Sequence, residues 1–378
     1  TSGREARFRS AATAGVVRIS LIRKCMTEEI LDDLAKRFDF HAGIYGETNS
    51  KNSSPLYARL SQYVSTDRDI LQLVLKADRA TQVSNLLFGA VHYLLLRGED
   101  HPLRAFYASL TAQPKSPEDA PSAFHDFCLE HAEEVQHLVT TQKVQTNEVQ
   151  RCTALLPAFS LVQQRIGQAS LSLLEIGSSA GLHLLWDKYG YHYEPSGHVG
   201  SADSPVQLHC FLIGKKLPDI SHGMPGIESR IGIDINPIDV ENPDHVRWIR
   251  ALIWPEHTDR AALFENAIAV ARGNPPHIIA GNAADVLLST AKTVPLDTTL
   301  CIFHSYTLNQ CPEPIPHQIV SNIEEIAKSR DVFRISLEWY GGQKQPQLEL
   351  YSYTGNHTGH ELLAYCESHG RSLEWLID

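Results

Sequence analysis

The spacing of apolar residues changes near residue 167 of the chain. Before that point apolar residues recur at three- and four-residue intervals, and one dense apolar run extends from Leu86 to Leu96. This spacing is typical of helices that bury one or more faces. After that point short apolar runs alternate with glycine turns and helical segments, which indicates a parallel sheet. The pattern predicts an α/β protein with a helical domain at residues 23–166 and a sheet domain at residues 167–378.

Several smaller features refine this division. Residues 1–22 are rich in Ser, Ala, Arg and Gly, and we expect a mobile tail there. Residues 191–228 read as an insertion in the sheet domain, and its apolar stretch 206–213 is expected to be an edge strand or part of a lid. His92 lies inside the apolar run of the helical domain. We expect it to be a core histidine with a hydrogen-bonded partner.

Seven strands are expected in the sheet, a number that suits a Rossmann-like fold. A helix is expected at residues 361–368, between the sixth and seventh strands, where the common order has a hairpin. The seven predicted strands are 172–176, 230–234, 276–280, 299–303, 332–339, 348–353 and 372–377.

A glycine turn follows the first predicted strand, and the chain is organised around it. Gly177 and Gly181 bracket the turn, and the residues from Leu182 to Tyr189 have the spacing of one helix face. Glycines permit close approach of a ligand, and a helix N-terminus offers free N–H groups to negative charge. The spacing lacks the middle glycine of a dinucleotide-binding turn. It also fits G-x-S-x-G, the nucleophile elbow of the α/β-hydrolases, with Ser179 as the nucleophile.

A third interpretation of this turn is the first motif of S-adenosylmethionine (SAM) methyltransferases, E-x-G-x-x-x-G, which begins at Glu175. Polar residues follow the next strands at the edge where open parallel sheets bind ligands. They include Asp234 after the second strand, Asn282 after the third and His304 after the fourth. A hydrolase usually has several strands before its elbow. The helical pattern of the first 166 residues therefore favours SAM.

From about residue 54 to its end, the chain resembles a family of methyltransferase-like proteins, mostly bacterial, that is classed as a domain of unknown function. The resemblance implies a SAM-type fold and leaves the substrate open. The segments that carry it are SPLY from Ser54, NLLFGAVHYLLLRG from Asn85, VQTNEV from Val144, EIGSSAG from Glu175, GIDINP from Gly232, RWIRALIWP from Arg247 and FHS from Phe303.

The SAM interpretation assigns a role to each candidate at the strand ends. The glycine turn would line the methionine half of SAM, and Asp234 would accept both ribose hydroxyls. His304 is the candidate base that removes a proton from the acceptor, and Ser305, Tyr306 and Glu338 are weaker candidates for substrate contact. The predicted cofactor-binding residues are Glu175, Gly177, Ser178, Ser179, Gly181, Asp234, Ile235, Asn282, Ala283 and His304, with Asn282 and Ala283 placed beside the adenine by resemblance.

Two further groups of candidates come from the helical domain. Gln145, Asn147 and Glu148 stand in a polar row between apolar helical segments, and Asn147 and Glu148 have the spacing to meet Arg151 on one helix face. We predict that Gln145 and Asn147 contact the cofactor and that Glu148 takes part in catalysis. Tyr57, beside a long polar loop, is the third catalytic candidate.

Composition narrows the class of partner. The chain has 378 residues and a net charge of -11, without a basic run, which disfavours nucleic acid as the main partner. No apolar stretch is long enough to span a bilayer. Seven cysteines without a C-x-x-C pair indicate a reducing compartment, and we expect a cytoplasmic protein. The 19 histidines are dispersed, and no metal site is expected.

The function favoured by these observations is a SAM-dependent methyltransferase that acts on a small molecule. Three alternatives stay open. The first is a SAM-using enzyme whose reaction attacks the aminocarboxypropyl carbon, including cyclisation of SAM. The second is a serine esterase of α/β-hydrolase type that uses Ser179, and the third is a SAM-fold binding protein without catalysis.

Overall fold

The computed structural model describes residues 26–46, 53–78, 82–167, 169–220, 226–355 and 357–378. The tail predicted at residues 1–22 lies outside this range, as do residues 221–225 of the predicted insertion. The described part is an α/β protein with helices and one large mixed sheet. Among the described residues, no helix combines the length and the apolar composition needed to cross a membrane.

The chain divides into two compact units. The first comprises the described residues up to Gln145 together with Arg247–Thr258, and the second comprises Thr146–Val246 and Asp259–Asp378. The sequence pattern predicted a boundary near residue 167. The second unit nevertheless begins at Thr146 and so includes the helix Cys152–Ile166, because that helix packs against the sheet.

The first unit is helical and has an aromatic core. Ser54 caps its second helix by accepting the Tyr57 N–H through its hydroxyl oxygen, and a proline follows at the first helical position. The Tyr57 ring stacks on Phe88 with ring centroids 4.5 Å apart. The main helices are α1 (residues 26–45), α2 (Pro55–Val64), α3 (Arg68–Leu73), α4 (Val83–Arg97), α5 (Ala120–Glu130) and α6 (Ala132–Thr141), with short 3-10 helices at Pro102–Phe106 and Pro117–Asp119.

The second unit contains the sheet and the helices that cover it. Its strands are β1 (Leu171–Ile176), β2 (Gly190–Glu194), β3 (Gly197–Gly200), β4 (Gln207–Ile213), β5 (Ile227–Asp234), β6 (His277–Ala280), β7 (Thr299–Ser305), β8 (Val332–Glu338), β9 (Gln347–Thr354), β10 (His357–Cys366) and β11 (Ser372–Trp375). The remaining helices of the chain are α7 (Cys152–Ile166), α8 (Pro243–Ala251), α9 (Thr258–Gly273), α10 (Ala283–Ala291) and α11 (Ile315–Ala327), with 3-10 helices at Val149–Arg151, Leu182–Lys188 and Leu308–Gln310.

Eleven strands form the sheet, in the order β3-β2-β4-β11-β10-β9-β8-β7-β1-β5-β6. The prediction of seven strands was therefore wrong in number. Five strands, β6-β5-β1-β7-β8, are mutually parallel and include the first five predicted strands. The other six strands extend the sheet beyond β8, where β9, β10 and β11 pair antiparallel. Three of these six, β2, β3 and β4, come from the predicted insertion.

Two local predictions fail for different reasons. The helix predicted at residues 361–368 is strand β10, whose pairing with β9 and β11 overrides the helix-forming residues in its sequence. The segment after the glycine turn is a 3-10 helix at Leu182–Lys188, interrupted at Leu185, and Gly190 begins β2. No α-helix N-terminus therefore follows the turn.

Helices pack on both faces of the parallel block. One face forms an apolar core with α10 and α11, to which Leu174, Ile302 and Ile323 contribute. On the other face, Phe159 of α7 stacks on Trp186 at 4.5 Å between ring centroids and meets the Phe303 ring edge-on. Because both faces are covered, the carboxyl ends of the parallel strands are the edge at which polar residues collect.

Candidate functional site

The glycine turn after β1 has a backbone that only small residues tolerate. Gly177 and Gly181 have positive φ angles of 75° and 70°, and Ser179 between them has a φ of 52°. A Cβ atom on Gly177 would lie 2.2 Å from Oγ1 of Thr307, a distance that real Cβ contacts do not reach. The turn is thus packed closely against the residues that follow β7, and its conformation is strained at Ser179.

Asp234, at the end of β5, holds this turn in place. Its Oδ2 accepts the Ser179 N–H at 2.7 Å, and its Oδ1 accepts the Asn236 N–H at 2.7 Å. The acid at the end of β5 and the glycine turn after β1 therefore lie together at adjacent strand ends.

The predicted cofactor-binding residues Ile235, Asn282 and Ala283 differ in how exposed their side chains are and in what these side chains contact. Ile235 is 80% exposed, an unusual state for an isoleucine beside a buried acid. Asn282 accepts the Ala284 N–H through its side-chain oxygen at 3.0 Å and so caps α10. Ala283 is buried in the apolar core below the sheet edge. Of the two residues assigned to the adenine by resemblance, Ala283 is buried, and half-buried Asn282 uses its side-chain oxygen for the cap.

His304, the last residue but one of β7, pairs with Glu338 at the end of β8. The distance from His304 Nδ1 to Glu338 Oε1 is 2.7 Å, and both side chains are buried. Glu338 also accepts the backbone N–H groups of Thr307, Leu308 and Asn309. An acceptor surrounded by so many donors is a carboxylate, so Nδ1 of His304 must be the donor. A neutral His304 therefore carries its basic lone pair on Nε2.

A second buried pair links β1 to the segment before α7. His183 Nδ1 lies 2.9 Å from Glu175 Oε1, and His183 Nε2 donates to the Glu148 carbonyl oxygen at 2.9 Å. Burial raises the pKa of Glu175, an effect that His183 partly offsets. Since Nε2 carries a proton, the short contact at Nδ1 contains one shared proton, on Glu175 or on His183. Glu175 is thus bound inside the protein and not directed at solvent.

Glu148 and Arg151 do not meet on a helix face as the spacing predicted, because residues 147 and 148 are not helical. Glu148 instead binds Arg260 at 2.5 Å and His369 at 2.9 Å through its Oε2. Burial alone would raise the pKa of Glu148, but Arg260 and His369 hold that pKa well below its usual range. Glu148 is therefore ionised and unsuited to act as a proton donor.

Asn147 connects the segment before α7 to the glycine turn. Its Oδ1 accepts the Leu182 N–H at 3.1 Å, and its side-chain amide donates to the Ser178 carbonyl at 3.4 Å. The first N–H after the turn, which the sequence suggested would be free for a ligand, is occupied by this contact. Asn147 thus helps to hold the backbone of the glycine turn in place through hydrogen bonds.

Several buried polar atoms at these strand ends have no hydrogen-bond partner among the described residues. Such orphaned atoms cost free energy unless a ligand or water satisfies them, and they are rare in folded proteins. They are Ser178 Oγ, Ser179 Oγ, Ser305 Oγ, Glu175 Oε2 and His304 Nε2. These atoms belong to β1, to β7 and to the glycine turn that follows β1. Their concentration marks this edge as the candidate ligand site of the second unit.

Two predicted site residues belong to the first unit. Tyr57 is fully buried among aromatic rings, and burial raises its pKa well above the usual value, so it stays a neutral hydroxyl. Gln145 is half-buried and ends the unit. The same unit holds Asp67, Asp69 and His125, whose potential ligand atoms lie within 4.8 Å of one another. Asp67 already caps α3 through two backbone N–H groups, and that role explains its position.

Three residues that shape the site could not be identified from the sequence. His183, Arg260 and His369 occupy the carboxylates of Glu175 and Glu148, across separations of 8 to 221 residues. Histidines are frequent in this chain, and none of these three stands in a motif. Only the folded structure distinguishes them from the other histidines and arginines.

The comparisons with known proteins give a family but no activity. A protein-family model matches residues 42–375, and its description is "Uncharacterized protein conserved in bacteria" (DUF2332). None of the curated proteins matches the chain.

Proposed function

The chain belongs to this family of uncharacterized bacterial proteins, and we propose from its strand ends that it is a SAM-dependent transferase acting on a small molecule. One observation carries the proposal: the strained glycine turn after β1 is hydrogen-bonded to the acid at the end of the adjacent strand β5, at 2.7 Å. A glycine turn beside an acid at the next strand end is an arrangement in which open parallel sheets bind nucleosides, with the acid accepting ribose hydroxyls.

The residues at this edge fit SAM on their own chemistry. Asp234 is a carboxylate, the group type that accepts ribose hydroxyls. Ile235, 80% exposed, offers an apolar surface against which a purine ring can pack. The orphaned hydroxyls of Ser178 and Ser179 supply polar contacts beside the turn. The order of the parallel strands, β6-β5-β1-β7-β8, supports the same site because the chain reverses direction across the sheet at β1.

His304 is the group that would move a proton. When bound, SAM supplies an electrophilic carbon attached to a positively charged sulfur. Glu338 holds the imidazole with Nδ1–H toward its carboxylate, which leaves Nε2 to accept a proton from the attacking group of the acceptor. Glu338 then stabilises the resulting imidazolium by an ion pair over the same 2.7 Å contact. The acceptor must therefore carry a removable proton, as a hydroxyl, amine or thiol does.

Ile235 provides the sharpest test because its side chain is exposed and makes no structural contribution that a substitution would remove. Ile235→Asp should weaken SAM binding at least tenfold, or about 1.4 kcal/mol, with the melting temperature of the free protein unchanged. The matched control is Leu296→Asp. Leu296 is 78% exposed, like Ile235, but it precedes β7 and so lies at the amino edge of the same parallel strands.

Isothermal titration with SAM and with S-adenosylhomocysteine measures both variants. A wild-type protein that shows no binding at millimolar ligand would remove the proposal. Equal weakening by the two variants would show a charge effect and not an adenine contact. Asp234→Ala is a poorer probe, since it would also release the Ser179 and Asn236 N–H groups that hold the turn.

A second candidate function is hydrolysis by Ser179, favoured by its positive φ and its buried hydroxyl without a described partner. A strained serine of this kind resembles a nucleophile elbow. However, β1 precedes every other strand of the sheet, and no α-helix follows the turn. We expect no labelling by a fluorophosphonate probe. Stoichiometric labelling that is lost in Ser179→Ala would rank hydrolysis above SAM chemistry.

A further inference from the structure

Arg151 is a buried arginine that forms no direct ion pair with a carboxylate of the described residues, although the charges of Glu148 and Glu338 act on it favourably. Its guanidinium lies over the Tyr306 ring, 3.8 Å from the ring centroid, and its Nε donates to the Ser368 carbonyl oxygen at 3.1 Å. The residue is 9% exposed. These contacts fix the plane of the guanidinium and use one of its five N–H groups.

The terminal nitrogens of Arg151 are left with donors to spare. In the part of the chain that the structure describes, no carboxylate lies within ion-pair distance of Arg151. The nearest candidate by sequence, Glu148, is already engaged by Arg260 at 2.5 Å and by His369 at 2.9 Å. A buried guanidinium whose terminal nitrogens have no direct partner is costly. A carboxylate that comes from a ligand could supply the direct contact that Glu148 and Glu338 do not make.

The position of Arg151 relates it to the candidate site. Its stacking partner Tyr306 follows directly on β7, after Ser305, whose buried hydroxyl has no partner among the described residues. On the other side, Asn147 joins the segment leading to Arg151 to the glycine turn through Leu182 and Ser178. The guanidinium is thus held beside Tyr306 at the end of β7, and Asn147, four residues before Arg151, contacts the glycine turn.

We propose that Arg151 binds the α-carboxylate of the amino-acid part of the ligand, which rests on the proposed function in that this part is the methionine half of SAM. The two terminal nitrogens form a planar fork that matches a carboxylate, and the Tyr306 ring keeps the fork oriented. The ligand class follows from this contact. The site accepts nucleosides that carry a free amino-acid carboxylate and discriminates against nucleosides that lack one.

Two variants of Arg151 and one matched control test the contact. Arg151→Met removes the charge and keeps a long apolar stem over Tyr306. Arg151→Lys keeps a charge but loses the fork. The control is Arg334→Met, because Arg334 is also buried in the second unit and stacks on Tyr351 at 3.7 Å, but lies within β8, away from its end.

Two ligand pairs separate the carboxylate from the rest of the molecule. SAM is compared with 5′-methylthioadenosine, which lacks the amino acid, by isothermal titration. L-Methionine is compared with L-methioninol, whose alcohol replaces the carboxylate, by thermal shift at millimolar concentrations. We expect Arg151→Met to weaken SAM binding roughly tenfold to a hundredfold and to leave 5′-methylthioadenosine binding unchanged. Arg151→Lys should lie between wild type and Arg151→Met, and Arg334→Met should bind SAM as wild type does.

The ligand pairs also distinguish failure of this contact from failure of the proposed function. If SAM binds and Arg151→Met binds it equally well, the contact is wrong and the function stands. If methionine stabilises wild type more than methioninol does, and Arg151→Met loses that difference while no adenosine ligand binds, the contact stands and the SAM function is wrong. A wild-type protein that does not distinguish methionine from methioninol overturns the contact. If Arg151→Met does not fold, Arg151→Lys decides by the same measurements.

Discussion

At the scale of single residues, proton positions are dictated by the donors and acceptors around each histidine. Glu338 accepts three backbone N–H groups and is therefore a carboxylate, which forces His304 to donate from Nδ1. His183 shows the opposite arrangement, since its Nε2 faces a carbonyl and must carry the proton. Both ring nitrogens of His183 therefore have partners. Of these two histidines, only His304 has a nitrogen without a partner among the described residues.

We predict that neutral His304 is the Nδ1–H tautomer in the free protein. Long-range ¹H–¹⁵N correlation of histidine-labelled protein at neutral pH measures this directly, with His304→Gln to assign the signal. In Glu338→Gln the neutral amide no longer requires a donor, and we expect an Nε2–H population to appear. His183→Gln serves as control and should leave the His304 signal unchanged. An Nε2–H tautomer in wild type would mean that His304 is not preset as a base.

At the scale of elements, the glycine turn is the part of the site with the least freedom. Gly177 combines a φ of 75° with the close approach of Thr307. Gly342, between β8 and β9, has a φ of 89°, but no described heavy atom lies within 4 Å of a Cβ built there. The two glycines therefore separate backbone strain from steric exclusion, since only Gly177 has both.

Gly177→Ala should destabilise the second unit by more than Gly342→Ala does. The control change costs the positive-φ strain alone, about 1 kcal/mol, whereas Gly177→Ala adds an overpacking cost of about 1–3 kcal/mol as Thr307 is displaced. Urea unfolding of both variants measures the difference. SAM affinity should fall in Gly177→Ala and not in Gly342→Ala. Equal stabilities would mean that the turn relaxes more easily than its packing indicates.

The sequence predicted elements well where the signal was local. The parallel strands β1, β5, β6, β7 and β8 follow from short apolar runs that end in polar residues, and all five were predicted. Strand β10 was predicted as a helix because its leucines, alanine and glutamate favour helices locally. Its conformation is set by pairing with β9 and β11, and no local pattern encodes such pairing.

The candidate site shows the same limit. Gly177, Asp234 and His304 were identified because each follows a strand, and parallel strands end at one edge. The contacts of Glu148 could not be predicted, since Arg260 and His369 are brought to it by the fold from distant positions. From the sequence, Arg151 was predicted only to meet Asn147 and Glu148. Its stacking on Tyr306 depends on the backbone after β7, where Tyr306 has a φ of 53°.

At the scale of the whole molecule, stability should depend on pH through groups that fold in an uncharged state. The protein carries a net charge of -11 at pH 7 and has a pI near 5.9, so mild acid lowers its overall charge and relieves self-repulsion. A histidine that is buried in its uncharged form has the opposite effect, since it lowers the stability of the folded protein as the pH falls. His92 of α4, predicted as a core histidine and confirmed as one, contacts the Ala251 carbonyl at 2.9 Å and the Ser109 hydroxyl at 2.8 Å.

Burial and, to a lesser degree, Arg250 lower the pKa of His92 from 6.5 to about 3. Between these two values the unfolded chain binds one more proton than the folded protein. The contribution of His92 is therefore fully present above pH 6.5 and is lost as the pH falls, by about 1.4 kcal/mol per pH unit. In mild acid, His92 therefore lowers stability while the smaller net charge raises it. The opposite signs allow the two effects to be separated.

We predict that the stability difference between wild type and His92→Gln shrinks by roughly 2–3 kcal/mol between pH 7 and pH 4.5. The variant keeps a polar group at this position and cannot titrate, so any change in net charge affects both proteins alike. Urea unfolding at the two pH values, followed by amide hydrogen exchange in α4, measures the first unit directly. A difference that stays constant with pH would show that His92 becomes protonated inside the folded protein, and that the Ala251 and Ser109 contacts do not keep it neutral.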